Sequence, residues 1–336
     1  MRSILLNVGS TVINMNEILR LRDVRVHFSV RRGLFDSELV KAVDGVSIEI
    51  QRGETVAVVG ESGSGKTTLG KVALRLLEPT DGSITLDGKD ISHTKDGELR
   101  WLRRFAQPIF QDPYSSIDSF MNVYQILEEP LLIHNIGEKH ERIELIKKSL
   151  DGVRLTPVEA FLSKYPHMLS GGQRQRVGIA RALVLQPKFI VADEPVSMID
   201  ASSRAEILLI LRDLQKTKDI SFLYITHDIA TARHFSDRIA VMYLGRIVEI
   251  GPSAAVIKDP LHPYTKALID AVPIPDPSNR LKERSVIPGE PASPINIPGG
   301  CRFHPRCPKF MADKCEVYDP EPKEVNSKHY TACHLY

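Results

Sequence analysis

No stretch of this 336-residue chain approaches the ~20 consecutive apolar residues that cross a bilayer as a helix. The N-terminal run Ile4–Leu6 stops at Asn7, follows a single arginine and lacks a small-residue cleavage pattern, so it makes a poor signal peptide. The chain is therefore expected in the cytoplasm. Residues 1–14 are expected to be dispensable, with Met15 as the natural start, because the strand pattern begins just after it. Excess charge of either sign is also missing. Lys plus Arg is 44 against 42 for Asp plus Glu, net +2, which gives no support for a nucleic-acid partner. Cysteine is absent from the first 300 residues, and all four fall in the last 36 with no C-x-x-C pair among them. Clustered cysteines in a cytoplasmic chain favour metal over disulfide, and the missing pair disfavours a zinc ribbon. Internal repeats, low-complexity tracts and sustained heptads are absent too. What remains is an ordinary soluble composition, 42% hydrophobic and 26% charged, long enough for a sizeable core plus a smaller appendage.

The most informative stretch is Gly60–Thr67, GESGSGKT. It follows an apolar run, Thr55–Val59, and precedes helical spacing over Leu69–Leu77, so it fits the P-loop pattern in its strand-loop-helix context. Glycines at 60, 63 and 65 let backbone approach a phosphate with no Cβ in the way. The loop amides and the following helix start favour an anion. Lys66 can reach the outer phosphates, and Thr67 offers a hydroxyl to Mg²⁺. The expected nucleotide contacts are Gly60, Glu61, Ser62, Gly63, Ser64, Gly65, Lys66, Thr67 and Thr68.

Around this loop the chain reads as α/β. Residues 18–28 alternate as a half-buried strand, 29–38 read as a loop, and 40–50 alternate again with Gly45 interrupting. Residues 98–168 read mainly as helix, an insertion between two halves of a parallel sheet. Helix over 175–185, strand over 189–192, helix through Ile207–Leu214 and strand over 222–226 restore the alternation. Leu244-Gly245 turns a hairpin, an antiparallel edge. Seven of the 22 prolines lie between Pro273 and Pro298, which marks an extended connector before the cysteine tail. The expected organisation is an N-terminal extension over 1–17, a nucleotide-binding domain over 18–255, a Pro-rich connector over 256–298 and a loop-rich cysteine domain over 299–336.

Two further stretches carry chemistry. Phe189–Glu194, FIVADE, is a buried strand ending in two acids, at the end of a parallel strand where such sheets bind ligands. Asp193 suits a second-shell Mg²⁺ carboxylate, and Glu194 a base that polarises water toward the γ-phosphate. Leu169–Gln173, LSGGQ, opens a helix with two glycines and a serine, a second anion site on one chain. It also reads as an ordinary helix start capped by Ser170. One P-loop saturates one nucleotide, so a second phosphate-facing helix start suggests service to a nucleotide held by another subunit.

The order GESGSGKT, Gln111, LSGGQ, VADE, His227 resembles the ATP-binding subunit of ABC transporters over about 18–255. The resemblance implies a P-loop NTPase fold and two domains packed head to tail, each ATP lying between one P-loop and the other chain's Ser170, Gly171, Gly172 and Gln173. It implies Gln111 at Mg²⁺, Glu194 as catalytic base, His227 on the γ-phosphate and Asp200 as the retained acid of the SMID stretch, where Met198 and Ile199 depart from the usual SALD. Phe28 and Phe35 are both candidates to stack on adenine. FQDPYSSI, YPHMLSGGQRQR, DPLHPYTKAL and IPGEPASPINIPGGCRFHPRCP further resemble oligopeptide/dipeptide-type importers. Ile117-Asp118-Ser119 departs from their Leu-Asn-Pro. This resemblance implies a peripheral subunit on the cytoplasmic face that hydrolyses ATP to energise peptide uptake. Its implied partners are a second ATPase (a paralogous heterodimer is favoured), two membrane permease subunits and an extracytoplasmic binding protein. Short oligosaccharides or nickel are alternative solutes, and a soluble ABC-type ATPase acting on DNA or ribosomes is the alternative class.

Cys301, Cys307, Cys315 and Cys333 leave three readings open: a [4Fe-4S] cluster, zinc with His304 or His334 as substitutes, and free thiols. Some members of the resembled importer group carry a cluster in this tail at similar spacing, so the resemblance favours the cluster.

Overall fold

A strand of five buried residues, Thr55–Val59, leads into the GESGSGKT loop. β-Branched side chains alternate to opposite faces of a pleated strand, and burial on both faces belongs to a sheet covered on both sides. Burying one such valine contributes roughly 1.5–3 kcal/mol. The computed structural model describes residues 5–8, 11–14, 16–31, 37–112, 117–272, 289 and 293–336. Its chain divides into two compact units.

The first unit comprises Met1–Ile50, Thr55–His93 and Tyr224–Tyr336. One of its sheets has Ser37–Gln51, Glu17–Arg31, Asp81–Leu86 and Lys89–Asp90 in that order. Its second and third strands run antiparallel, with a bulge between Arg22 and Arg25 where Asp23 takes φ 47. The strand read as ending near residue 28 continues to Arg31; Ser29, Val30 and Arg31 are all exposed, so this end has no buried face for an apolar-alternation test to find.

The unit's other strands place Thr55–Val59 beside Arg238–Tyr243 in parallel register, Val56 opposite Arg238 and Val59 opposite Val241. The hairpin expected at Leu244-Gly245 follows. Arg238–Tyr243 pairs antiparallel with Arg246–Pro252, and both turn residues hold positive φ. The tail, expected to be loop-rich, contributes two short strands. His329–Thr331 pairs with Arg246–Pro252, Glu249 opposite Thr331, and Lys323–Asn326 pairs with His329–Thr331. Glu249, 1% exposed, ties these pieces together: its carboxylate accepts from the Leu261 and His262 amides at 3.0 and 2.7 Å and meets His329 Nε2 at 2.7 Å.

The second unit comprises Gln51–Glu54 and Thr94–Leu223. Its expected helices are present: Val123–Ile133, Lys139–Gly152, Gly171–Leu183 and Ala201–Lys218. A strand stands where helix was expected. Ala106–Ile109 pairs in parallel with Phe189–Asp193, Ala106 opposite Phe189. Gln107 and Pro108 interrupt its apolar run, so four residues carry no readable period. Asn122 and Gln125 close a capping box at the start of Val123–Ile133. Of the expected connector, 273–288 and 290–292 lie outside the described residues.

Candidate functional site

The loop 60–67 is shaped by contacts only glycine permits. A Cβ on Gly60 would stand 2.1 Å from the Met242 carbonyl oxygen, and one on Gly65 1.9 Å from that of Ala42. Gly65 also holds φ 100. The Gly245 amide donates to the Ser64 carbonyl at 2.9 Å. Lys66 opens the helix Lys66–Ala73 and is buried. Its ammonium donates to the Gly60 and Glu61 carbonyls at 2.8 Å each and reaches Ser64 Oγ at 3.4 Å. A cation held at a helix start whose cap has no side-chain partner is suited to phosphate oxygens. Ser62, Gly63 and Thr67 are exposed, and Thr68 is half-buried.

Glu61 is held at three points. Its carbonyl takes Lys66, its amide donates to Tyr264 Oη at 2.9 Å, and its carboxylate takes Arg306 at 2.9 and 3.3 Å. Tyr264 and Arg306 lie in HPYT and CRFHPRC, strings whose types stand out but whose contacts no local pattern reveals. His227, exposed, follows the buried strand Ser221–Thr226, and Asp228 Oδ1 caps the next helix through the Ala230 amide at 2.8 Å. Phe28 is 38% exposed, and Phe35 lies outside the described residues.

Within the second unit, Gln111 Nε2 donates to Glu194 Oε2 at 3.2 Å. Glu194 follows the strand Phe189–Asp193 with φ 44, left-handed backbone that a side chain adopts at a cost of about 1–3 kcal/mol. The Ser197 amide and hydroxyl both donate to its carbonyl, at 3.2 and 3.1 Å. Ser170 caps Gly171–Leu183: its Oγ accepts from the Gln173 amide at 3.2 Å, and Gln173 Oε1 accepts from the Ser170 amide at 3.1 Å. A Cβ on Gly172 would meet Ser203 Oγ at 2.8 Å, whereas Gly171 has only Ile199 Cγ2 at 3.9 Å. Buried Arg174 grips the Pro166 carbonyl at 2.7 and 3.1 Å, fixing the turn that delivers the chain to Ser170. Gln175 Nε2 donates to the carbonyl of Phe110, next to Gln111, at 3.4 Å. Asp200 caps Ala201–Lys218 through the Ser203 amide at 2.9 Å, and its bonds to Ser202 and Ser203 hold it well below the usual carboxylate range.

In the tail the four cysteines carry no disulfide. The Cys301 amide donates to the Cys315 carbonyl at 2.8 Å. Burial pushes the Cys301 thiol up to about 11, and the charges of Cys333, Cys315 and Cys307 add to the rise. Burial also raises Cys307 and Cys333, with Cys315 acting on both and Cys307 on Cys333. The four thiols thus lie within one another's electrostatic reach. Among the described residues, no group of three or more His, Cys, Asp or Glu is placed to hold a metal ion. His304 Nδ1 and His334 Nε2 bond the carbonyls of Cys301 and Tyr318, at 2.9 and 2.8 Å. Arg302 bonds the Leu244 carbonyl and the carboxylate of Asp44, which His27 Nε2 meets at 3.0 Å. No described helix is long and apolar enough to cross a membrane.

One unit carries a glycine loop with a buried lysine at a helix start, and the other carries a strand-end acid pair and a serine-capped glycine helix; that set of parts on one chain defines a nucleotide-binding ATPase. Comparison with known proteins agrees. Residues 43–197 match the ABC transporter family, and 248–315 match the oligopeptide/dipeptide transporter C-terminal region. The oligopeptide transport ATP-binding protein AppF of Bacillus subtilis is 45% identical across 97% of this chain and 99% of its own. YkfD of the same organism is 46% identical across 95% of each chain. Among solved structures, the ATP-binding cassette MJ0796, a dimer in a post-hydrolysis state bound to ADP and Pi, superposes with TM-score 0.63 at 30% identity, covering 70% of this chain and 99% of that one. The chain belongs to the ABC transporter family, as one of its ATP-hydrolysing subunits.

Proposed function

We propose that this chain is the motor of a peptide importer, hydrolysing ATP to energise uptake of oligopeptides or dipeptides. The observation that carries the reading is the joint presence, on one chain, of the ABC transporter match and the oligopeptide/dipeptide transporter C-terminal match. The relative AppF, named for oligopeptide transport and aligned nearly end to end, supports the same solute class. The chain acts as a peripheral subunit on the cytoplasmic face. Its partners are two membrane permease subunits, an extracytoplasmic binding protein and a second, paralogous ATPase. Residues 18–255 form the nucleotide-binding domain, 98–168 its helical insertion, 256–298 the connector and 299–336 the cysteine domain.

In this reading Lys66 and the amides of 60–68 hold the phosphates. Thr67 and Gln111 serve Mg²⁺, with Asp193 behind them. An Mg²⁺ ion held there would supply positive charge to offset that building on the phosphate. Glu194 accepts the proton of the attacking water, and His227 hydrogen-bonds the γ-phosphate. Ser170, Gly171, Gly172 and Gln173 serve the nucleotide of the neighbouring ATPase, and Asp200 completes that face. Cys301, Cys307, Cys315 and Cys333 hold a [4Fe-4S] cluster that staples a tail with few core residues. Burial and neighbouring thiolate charge raise the proton affinity of Cys301, Cys307 and Cys333, so these thiols would need a cationic group to hold them as thiolates; zinc is the alternative occupant.

The test is reconstitution with the membrane subunits in vesicles and measurement of labelled-oligopeptide uptake. Uptake should require ATP inside and disappear with Lys66→Ala. A chain that copurifies with ribosomes or DNA and supports no uptake would replace the importer with the soluble-ATPase reading.

A further inference from the structure

The nucleotide loop carries a carboxylate of its own. Glu61 lies one residue past Gly60, inside the stretch read above as the holder of a triphosphate. A free carboxylate there would repel a polyanion at close range, where the effective dielectric is well below that of water. The structure gives Glu61 a partner from far along the chain. Arg306 Nη1 and Nη2 donate to its two oxygens at 2.9 and 3.3 Å, an end-to-end fork, with Arg306 at 7% exposure. Arg306 Nη1 also reaches Tyr243 Oη at 3.4 Å. Tyr243 packs against Tyr264 and Phe303, with ring centroids at 4.7 and 5.3 Å, and Tyr264 and Phe303 meet at 5.3 Å. Those rings fix where the guanidinium stands. Tyr264 in turn accepts the Glu61 amide, so Glu61 is held by the tail through its side chain and by the helix Pro263–Asp270 through its N–H.

We propose that Arg306, from the cysteine-bearing tail, is a positioning residue of the nucleotide loop: it neutralises Glu61 and, with the Tyr264 hydroxyl on the Glu61 amide, holds the loop open for a triphosphate. The inference rests on the reading that 60–67 binds ATP. It adds that this site is incomplete without a side chain 245 positions away. Arg306 stands between Cys301 and Cys307, so the fold of the tail is transmitted to the phosphate-binding backbone through one ion pair.

Equilibrium binding of ATP to the full-length protein tests this, with steady-state hydrolysis alongside. Arg306→Met should weaken ATP binding about tenfold, equivalent to about 1.4 kcal/mol, and leave kcat within about twofold. Glu61→Gln alone should change affinity by less than about threefold. The double variant Glu61→Gln/Arg306→Met should recover to within about threefold of wild type, because the unpaired carboxylate is gone. A merely structural role predicts the reverse, a double variant at least as weak as Arg306→Met, and that result overturns the proposal. Wild-type affinity in Arg306→Met also overturns it. Should Arg306→Met not fold, Arg306→Lys keeps the charge without the fork and should bind ATP between wild type and tenfold weaker, with affinity restored by adding Glu61→Gln; absence of both effects overturns the proposal. Lys66→Ala is the control that separates the two readings. If it binds ATP as wild type does, the loop assignment fails. If it loses ATP while Arg306→Met does not, only the role of Arg306 fails.

Discussion

Gln111 and Glu194 are 83 residues apart in sequence and share a hydrogen bond, Nε2 to Oε2, at 3.2 Å. The backbone of Glu194 sits in the left-handed region while its carbonyl takes two bonds from Ser197. A carboxylate anchored by its backbone and met by the Gln111 amide is held in a defined orientation. Glu194→Gln preserves the shape and removes the carboxylate proposed as the base. Turnover should fall about 10²–10⁴-fold with ATP affinity within a few-fold of wild type, read by steady-state hydrolysis and equilibrium binding.

Gly65 and Gly63 make a matched pair for testing the loop. Both hold positive φ, 100 and 79, but only Gly65 has backbone in the way, the Ala42 carbonyl at 1.9 Å from an added Cβ, while Gly63 has nothing within 4 Å. Gly63→Ala should cost about 1–2 kcal/mol, the strain of left-handed backbone alone. Gly65→Ala should cost more, roughly 3–5 kcal/mol, because a carbonyl must move as well. Urea unfolding midpoints at constant slope measure both.

His262 gives the fold a pH dependence. It is 1% exposed, its Nδ1 accepts the Tyr264 amide at 3.1 Å, and burial lowers its pKa from 6.5 to about 3. The unfolded chain therefore binds the proton more readily than the folded one between those values. Its contribution to stability is full above pH 6.5 and is lost as pH drops toward 3, by at most roughly 1.4 kcal/mol per pH unit. His262→Asn retains a capping oxygen for Tyr264 and should flatten the decline over that window in unfolding measurements made at stepped pH.

The tail gives a compositional prediction. Anaerobically purified protein should carry about four iron and four acid-labile sulfide per chain if the cysteines hold a cluster. Cys301→Ser should remove most of both. One zinc per chain would favour the alternative ion, and neither metal would leave the thiols structural.

The sequence made the loop legible because its chemistry demands particular residue types at fixed spacing: glycines at 60 and 65 meet carbonyls that no other residue tolerates. The strand Phe189–Asp193 and the hairpin at Leu244-Gly245 were readable for similar reasons, an unbroken apolar run and a glycine turn. Ala106–Ile109 was not, since Gln107 and Pro108 erase any period in four residues. The tail strand His329–Thr331 exists by pairing with Arg246–Pro252, and three residues carry too little pattern to announce it. Least legible were long-range contacts. Arg306 on Glu61 and Arg302 on Asp44 span 245 and 258 positions, and spacing alone points neither arginine at its acid.

In the assembly proposed above, ATP is shared between the loop of one ATPase and the Ser170 face of another. The most direct measurement is the mass of Glu194→Gln by analytical ultracentrifugation with and without ATP, alone and mixed with the second ATPase proposed above. The account predicts ATP-dependent association in at least one of these mixtures, abolished by Ser170→Arg. A particle that binds ATP stoichiometrically yet remains a single chain in both would contradict it.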